Sequence, residues 1–170
     1  MRFLKRLTSG LDSVNYHVGR VFAWTVVPLT LLVTYEVVAR RVFNAPHIWS
    51  FEITVMLYGF FFTIVAGYTL LRKGHVTIDI FSNRLPERTR LVVELAGYVL
   101  FLFPFMIVIL VYGAEFAAKS WAMKEASETT FGPPLYPIKT IVPICAFLLL
   151  LQGLSDFIKR AYLLVKREEL

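Results

Sequence analysis

Residues 95–114 read LAGYVLFLFPFMIVILVYGA, twenty positions without a charge. A helix of that length is about 30 Å long, the thickness of the hydrocarbon core of a bilayer. Residues 53–71 form a second charge-free run of 19 positions, and Val21–Tyr35 and Thr140–Ser155 add runs of 15 and 16. The two shorter runs reach spanning length once Arg20 and Lys139 at their edges extend to the headgroups. The pattern predicts an all-α integral membrane protein in which residues 1–170 form one four-helix domain, with spans at about 18–41, 51–71, 91–114 and 138–158. Composition agrees. The chain is 57% hydrophobic and 18% charged, whereas a soluble domain is near half apolar and about a quarter charged.

Basic residues set the orientation. Arg2, Lys5, Arg6 and Arg20 precede the first span, five Lys or Arg lie in residues 72–90, and Lys159, Arg160, Lys166 and Arg167 follow the fourth. The two remaining connections hold only Arg40 and Arg41, and Lys119, Lys124 and Lys139. Because cytoplasmic connections carry the excess of Lys and Arg, both termini and the central loop are expected inside. The net charge of +6 is thus a topology signal, and its dispersal over helix ends argues against a nucleic-acid surface. No small-residue cleavage site precedes Pro28, so the first span is expected to be retained. The single cysteine, Cys145, excludes an internal disulfide and reads as a small apolar filler.

Polar residues near the spans fall into recognisable places. Glu36 and Arg40 are spaced to share a helix face near the outer surface, and Arg90 and Glu94 repeat the pair at the start of the third span. Asn44-Ala45-Pro46 breaks the first hairpin. After it, Trp49 suits an interfacial anchor, Ser50 a helix cap, and Glu52 the first helical turn. Gly59, Thr63 and Gly67 recur every four residues, either as a close-packing stripe or as glycines of the kind apolar helices carry anyway. Trp121 and Tyr136 suit the outer interface. Pro137 fits the first turn of the fourth span, and Pro143 a kink.

The central loop, RKGHVTIDIFSNRLP at 72–86, invites a chemical reading, since His75 and Asp79 would share a helix face. They make at most half a metal site. The alternation Val76–Ile80 suits a strand, but a lone strand beside lipid has unpaired edges. A short interfacial helix fits better, with Arg72 and Lys73 at the headgroups, Ile78, Phe81 and Leu85 on one face, and Pro86 closing the segment. His17, His47 and His75 all lie outside the spans, and no zinc-peptidase motif or facing nucleophile–base pair is present. No cofactor, metal site or catalysis is expected. The acids near the spans lie within about two turns of helix ends, unlike the deep ionisable groups of ion pathways.

Together EVVARRVFNAPHIWSFEI, RKGHVTIDIFSNRLP and PLYPIKTIVPICAFLLLLQGL resemble the small membrane (Q-type, DctQ-like) subunit of tripartite ATP-independent periplasmic (TRAP) transporters, over roughly residues 15–160. The resemblance implies a non-catalytic subunit of the bacterial inner membrane. It would scaffold a large sodium-coupled, elevator-type subunit that imports an organic acid delivered by a periplasmic binding protein. Implied partners are those two proteins and membrane lipid. The implied contacts are the 43–50 and 115–136 connections outside, with Trp49, Ser50, Glu52, Trp121 and Tyr136 as the contact residues, and residues 72–88 inside. Family members often have paired acids after the tryptophan. Here Phe51 stands in place of one, leaving Glu52 alone. Two other readings remain open: a self-associating small transporter coupled through Glu36, and a membrane anchor of a redox enzyme.

Overall fold

A computed structural model describes residues 2–72 and 86–166, with side chains from Phe3 onward. Eight α-helices are described: α1 Arg2–Ala23, α2 Val26–Val42, α3 Ile48–Ile64, α4 Ala66–Leu71, α5 Glu87–Gly97, α6 Phe103–Met123, α7 Tyr136–Lys139 and α8 Ile141–Lys166. A π-helical turn, Tyr98–Leu102, joins α5 to α6. They combine into four helical rods long and apolar enough to cross a membrane, Phe3–Val42, Ile48–Leu71, Glu87–Met123 and Tyr136–Lys166. All four exceed the lengths expected from the charge-free runs. The excess is amphipathic helix that continues past the apolar stretch, most of all in α1.

The breaks within the rods have a common cause. Proline has no N–H, so the carbonyl four residues before it loses its helical donor. Pro28 leaves Trp24, and the α1–α2 junction falls there, with Val27 N–H instead donating to the Trp24 carbonyl at 3.0 Å. Pro104 leaves Leu100, in the middle of the π-helical turn. Pro143 leaves Lys139, the last residue of α7, so the disturbance expected at Pro143 sits one turn earlier. The α3–α4 break at Val65 has no proline. There the Thr69 hydroxyl donates back to the Val65 carbonyl at 3.1 Å, a bond that bends helices.

Packing centres on α8, which touches α1, α3, α4, α5, α6 and α7. In the half of the bundle that holds the start of α1 and the end of α8, termed inner for that place in the fold and not for a side of the membrane, α1 lies along both α4 and α8. Gly19 permits this approach, since an added Cβ would stand 2.1 Å from the Tyr68 Cβ. In the opposite half, termed outer in the same sense, α2 packs chiefly on α3, α3 on α8, and α8 on α6, so the helices stand in a row. The inner face of α6 is the small-residue set Gly113, Ala117 and Ser120, which lets α8 come close. Ile64, Ile141 and Leu148 form the buried apolar cluster, flanked by Val18, Phe22 and Phe60.

The interfacial helix expected in the central loop, with Lys73, His75, Asp79, Phe81 and Leu85, lies outside the described residues. Arg72 and Pro86 flank it. Ser50 is not the cap it was expected to be, because α3 begins two residues earlier, after His47 in extended conformation. The chain leaves the Asn44–Pro46 turn already aligned for helix, and Ser50 is carried inward, fully buried. Replacing Gly19 by Ala should lower the stability of the purified chain by about 1–3 kcal/mol, because Tyr68 cannot retreat without moving α4. Thermal unfolding in detergent micelles would check this, with Gly10→Ala, where an added Cβ meets nothing within 4 Å, as the comparison.

Candidate functional site

Two polar ends and the open apolar faces between them are the chain's candidate working surfaces. At the inner end, α1 and α8 share a polar seam. Asp12 Oδ2 accepts from Lys159 Nζ at 2.5 Å, and its Oδ1 accepts from Ser155 Oγ at 2.6 Å and Gln152 Nε2 at 3.2 Å. Gln152 Nε2 also donates to Asp156 Oδ1 at 3.2 Å. One turn outward, Asn15 Nδ2 donates to the Leu148 carbonyl at 3.2 Å, and the Asn15 side chain lies where a Cβ on Gly67 would be. Gln152 and Ser155 are completely buried and Asn15 nearly so. Buried polar groups of this kind hold helices in one register, because any slip leaves them unpaired.

The seam continues onto α5. Glu94 accepts from Arg90 Nε at 3.1 Å and also from Arg160 of α8, while Tyr98 of the π-helical turn donates to Asp156 at 3.5 Å. Arg160 also stands over the Tyr98 ring. The expected Arg90–Glu94 pair is therefore one side of a bridge between two helices. One turn along α1 from Asp12, the Tyr16 ring meets α4: Arg72 donates to the Tyr68 hydroxyl at 3.1 Å and lies 5.6 Å from the Tyr16 ring centroid.

At the outer end Glu36 closes the first hairpin. Its Oε1 accepts from Arg40 Nη2 at 3.0 Å and from the His47 backbone N–H at 3.2 Å, and His47 Nδ1 lies 3.4 Å from its Oε2. Tyr35, His47 and Trp49 form an aromatic cluster beside it. Glu36 is a buried, occupied carboxylate, which does not fit a free coupling group. Glu52 differs: both its carboxylate oxygens are shut off from solvent and accept no hydrogen bond from the described residues. Nothing in the structure explains that arrangement. Among the described residues no group of three or more His, Cys, Asp or Glu could hold a metal ion.

The outer connection between α6 and α7 is tied at its base. Lys124, in left-handed conformation (φ 47°), ends α6, and Glu125 N–H reaches back to the Ser120 carbonyl at 3.0 Å. Leu135 N–H donates to the Glu125 carbonyl at 2.9 Å and Ser127 N–H to the Pro133 carbonyl at 2.9 Å. Lys139 Nζ bonds both Glu125 oxygens, at 2.6 and 2.5 Å, and sits 4.2 Å from the Phe116 ring centroid. The Trp121 ring meets that of Tyr136 at 4.4 Å between centroids, tilted by 53°, and its N–H donates to Thr140 Oγ1 at 2.8 Å. The two expected interfacial aromatics are thus brought together, whereas Trp49 belongs to the Glu36 cluster.

The Gly59, Thr63 and Gly67 positions do not act as one stripe within the chain. Gly67 meets Asn15 and Leu148, Thr63 is half-buried, and a Cβ on Gly59 would meet nothing within 4 Å. Asp12, Asn15, Gln152, Ser155 and His47 were missed because their partners are distant in sequence. The repeat Gln152, Ser155, Asp156, Lys159 on one face of α8 was the available signal.

A family model described as tripartite ATP-independent periplasmic transporters, DctQ component, matches residues 29–162. The chain belongs to this family. A sialic acid TRAP transporter small permease protein, SiaQ, from Vibrio cholerae is 32% identical over 63 residues, 37% of this chain and 36% of that protein. The chain thus spans about a third of the length of the curated relative it matches. As a DctQ component with four apolar helices, it is a multi-pass inner-membrane protein and a transporter component, not an enzyme.

Asp12→Ala should cost about 3 kcal/mol, because Lys159, Gln152 and Ser155 each lose an acceptor in a partly buried seam. Unfolding in micelles would show it, and a loss below about 1 kcal/mol would mean water replaces the carboxylate. At the outer loop, Lys139 holds the Glu125 carboxyl below its ordinary value, chiefly by hydrogen bonding. A depressed folded pKa gives stability that is present above the unfolded carboxylate value and is lost as pH falls through the folded one. Fluorescence of Trp121, with Trp24 and Trp49 replaced by Phe, should report loop opening on acidification. The transition should move to higher pH in Lys139→Met.

Proposed function

We propose that this chain is the small permease subunit that scaffolds the large membrane subunit of a TRAP transporter, and that it carries no substrate itself. The observation that carries this reading is how little the chain covers its own helices. None of the most apolar window of Glu87–Met123 is buried within the chain, and only 33% of that of Tyr136–Lys166. A row of helices has two broad faces, and lipid on one and a large subunit on the other would complete it. The charge pairing in the polar seam supports a static role, since Asp12 and Lys159, and Glu94 and Arg160, are committed to each other.

The finer reading follows the family resemblance. Residues 1–170 form one membrane domain, with both termini and the 72–86 segment cytoplasmic and that segment anchored at the interface. The Glu36 cluster and the tied loop at 124–135 then face the periplasm, where a binding protein delivers an organic acid to a sodium-coupled, elevator-type partner. The SiaQ relative belongs by name to a sialic acid transporter, and sialic acids are carboxylates. Which carboxylate this chain's transporter takes is set by groups on the other subunits.

Expressed with the large subunit of its transporter, the tagged chain should bring that subunit through purification. Reconstituted uptake should need both membrane subunits, the binding protein and a sodium gradient. Glu36→Ala should lower the yield of complex and the uptake rate several-fold while leaving the order of preferred substrates unchanged. Uptake by this chain alone, or a changed preference, would overturn the scaffold reading.

A further inference from the structure

One face of α3 is open along its length. Phe51, Val55, Tyr58 and Phe62, spaced i, i+4, i+7 and i+11, expose 67%, 53%, 57% and 69% of their surface. That spacing places them on one stripe. Three are apolar, but the stripe holds a tyrosine at its middle. Tyr58 lies ten residues after Ile48 and thirteen before Leu71, about 15 Å and 20 Å from the two ends of that rod. Even with the lean of a helical side chain toward its N-terminus, the hydroxyl stays well inside the hydrocarbon depth. Its ring stacks on Phe62, at 6.1 Å between centroids and 19° between planes, and the hydroxyl has no hydrogen-bond partner among the described residues. Lipid tails offer a hydroxyl nothing, and an unpaired polar group there is costly.

Beside this stripe stands Gly59. A Cβ at Gly59 would meet nothing within 4 Å, in contrast to Gly19, Gly67, Gly113 and Gly153, where neighbours stand in the way. A mid-helix glycine costs roughly 0.5–1 kcal/mol against alanine, so a glycine that serves no packing in its own chain is a notch without an occupant. A notch and an unpaired donor side by side at mid-membrane depth fit another helix better than acyl chains. Interfaces between membrane helices combine small residues with interhelical hydrogen bonds.

We infer that the Phe51–Val55–Tyr58–Phe62 face, with Gly59 at its edge, is where a transmembrane helix of the large subunit docks. This rests on the scaffold reading above and names the surface it uses. The docking helix presents small residues to the stacked Tyr58 and Phe62 rings and a hydrogen-bond acceptor, a hydroxyl or a carbonyl, to the Tyr58 hydroxyl. Its backbone approaches at Gly59.

The complex of both membrane subunits provides the test. Gly59→Leu leaves this chain's own fold intact, as its unfolding in micelles would show, and reduces recovery of the large subunit at least tenfold. Tyr58→Phe, which removes one oxygen, weakens subunit association about threefold, the size of a typical hydrogen bond between membrane helices. A benzophenone side chain at position 58 cross-links to the large subunit. If Gly59→Leu and Tyr58→Phe assemble like the natural chain and the benzophenone labels lipid only, while the two subunits still co-purify, the docking face is wrong and the scaffold reading stands. If the natural chain never retains the large subunit, both fall.

Discussion

The Asp12 carboxylate holds the inner half of the molecule together. It lies between α1 and α8, taking Lys159 on one oxygen and Ser155 and Gln152 on the other. A carboxylate so placed costs several kcal/mol in desolvation, and only a full set of donors offsets this. With that set in place, α1 cannot slide along α8. Asn15 and Leu148 then meet one turn outward, and the Gly19–Tyr68 approach fixes α4 against the same helix. Arg160 and Lys159, adjacent on α8, carry the constraint across to Glu94 and α5. Four helices are thereby registered through one end of α8.

The row of helices follows from that seam together with the prolines. Once α1 is fixed, the break upstream of Pro28 lets α2 leave the direction of α1 and pack on α3 rather than α8. The π-helical turn upstream of Pro104 adds a residue to one turn, which rotates α6 relative to α5. α5 can then offer Glu94 to α8 while α6 offers Gly113, Ala117 and Ser120 to it. A straight helix could not keep both faces on one neighbour over 37 residues, because the 3.6-residue period carries any stripe around the axis.

What could be read from the sequence was what depends on local spacing. Charge-free runs located four helical rods, because the hydrocarbon thickness fixes how many residues must go uncharged. The i,i+4 pairs Glu36–Arg40 and Arg90–Glu94 are local and were visible, though not the third partners, His47 and Arg160, that make them interhelical. The pairing across the polar seam was out of reach, since Asp12 and Gln152 lie 140 positions apart, and only the polar repeat on α8 hinted at it. Ser50 was misplaced for a related reason. A serine ahead of an apolar run looks like a cap, and only the packing of α2 against α3 shows that it lies inside the helix. The α1 extension beyond the first charge-free run has ordinary soluble composition, and distant contacts such as Asp12 with Lys159 hold it.

The hinge upstream of Pro28 also gives Glu36 a purpose that needs no transported ion. At Trp24 and Thr25 the α-helical ladder gives way to tighter bonds, Thr25 N–H to the Phe22 carbonyl and Val27 N–H to that of Trp24, both 3.0 Å, and α2 beyond them buries only Glu36 and Ala39. Hydrophobic contact within lipid supplies little drive for α2 to stay on α3, since tails are as apolar as the helix. Glu36 supplies what packing does not. By accepting the His47 N–H at the start of α3 while paired to Arg40 on α2, it ties the far end of α2 to its neighbour. The two polar ends therefore do different work. The seam sets register between α1 and α8, and the Glu36 carboxylate closes the hairpin between α2 and α3.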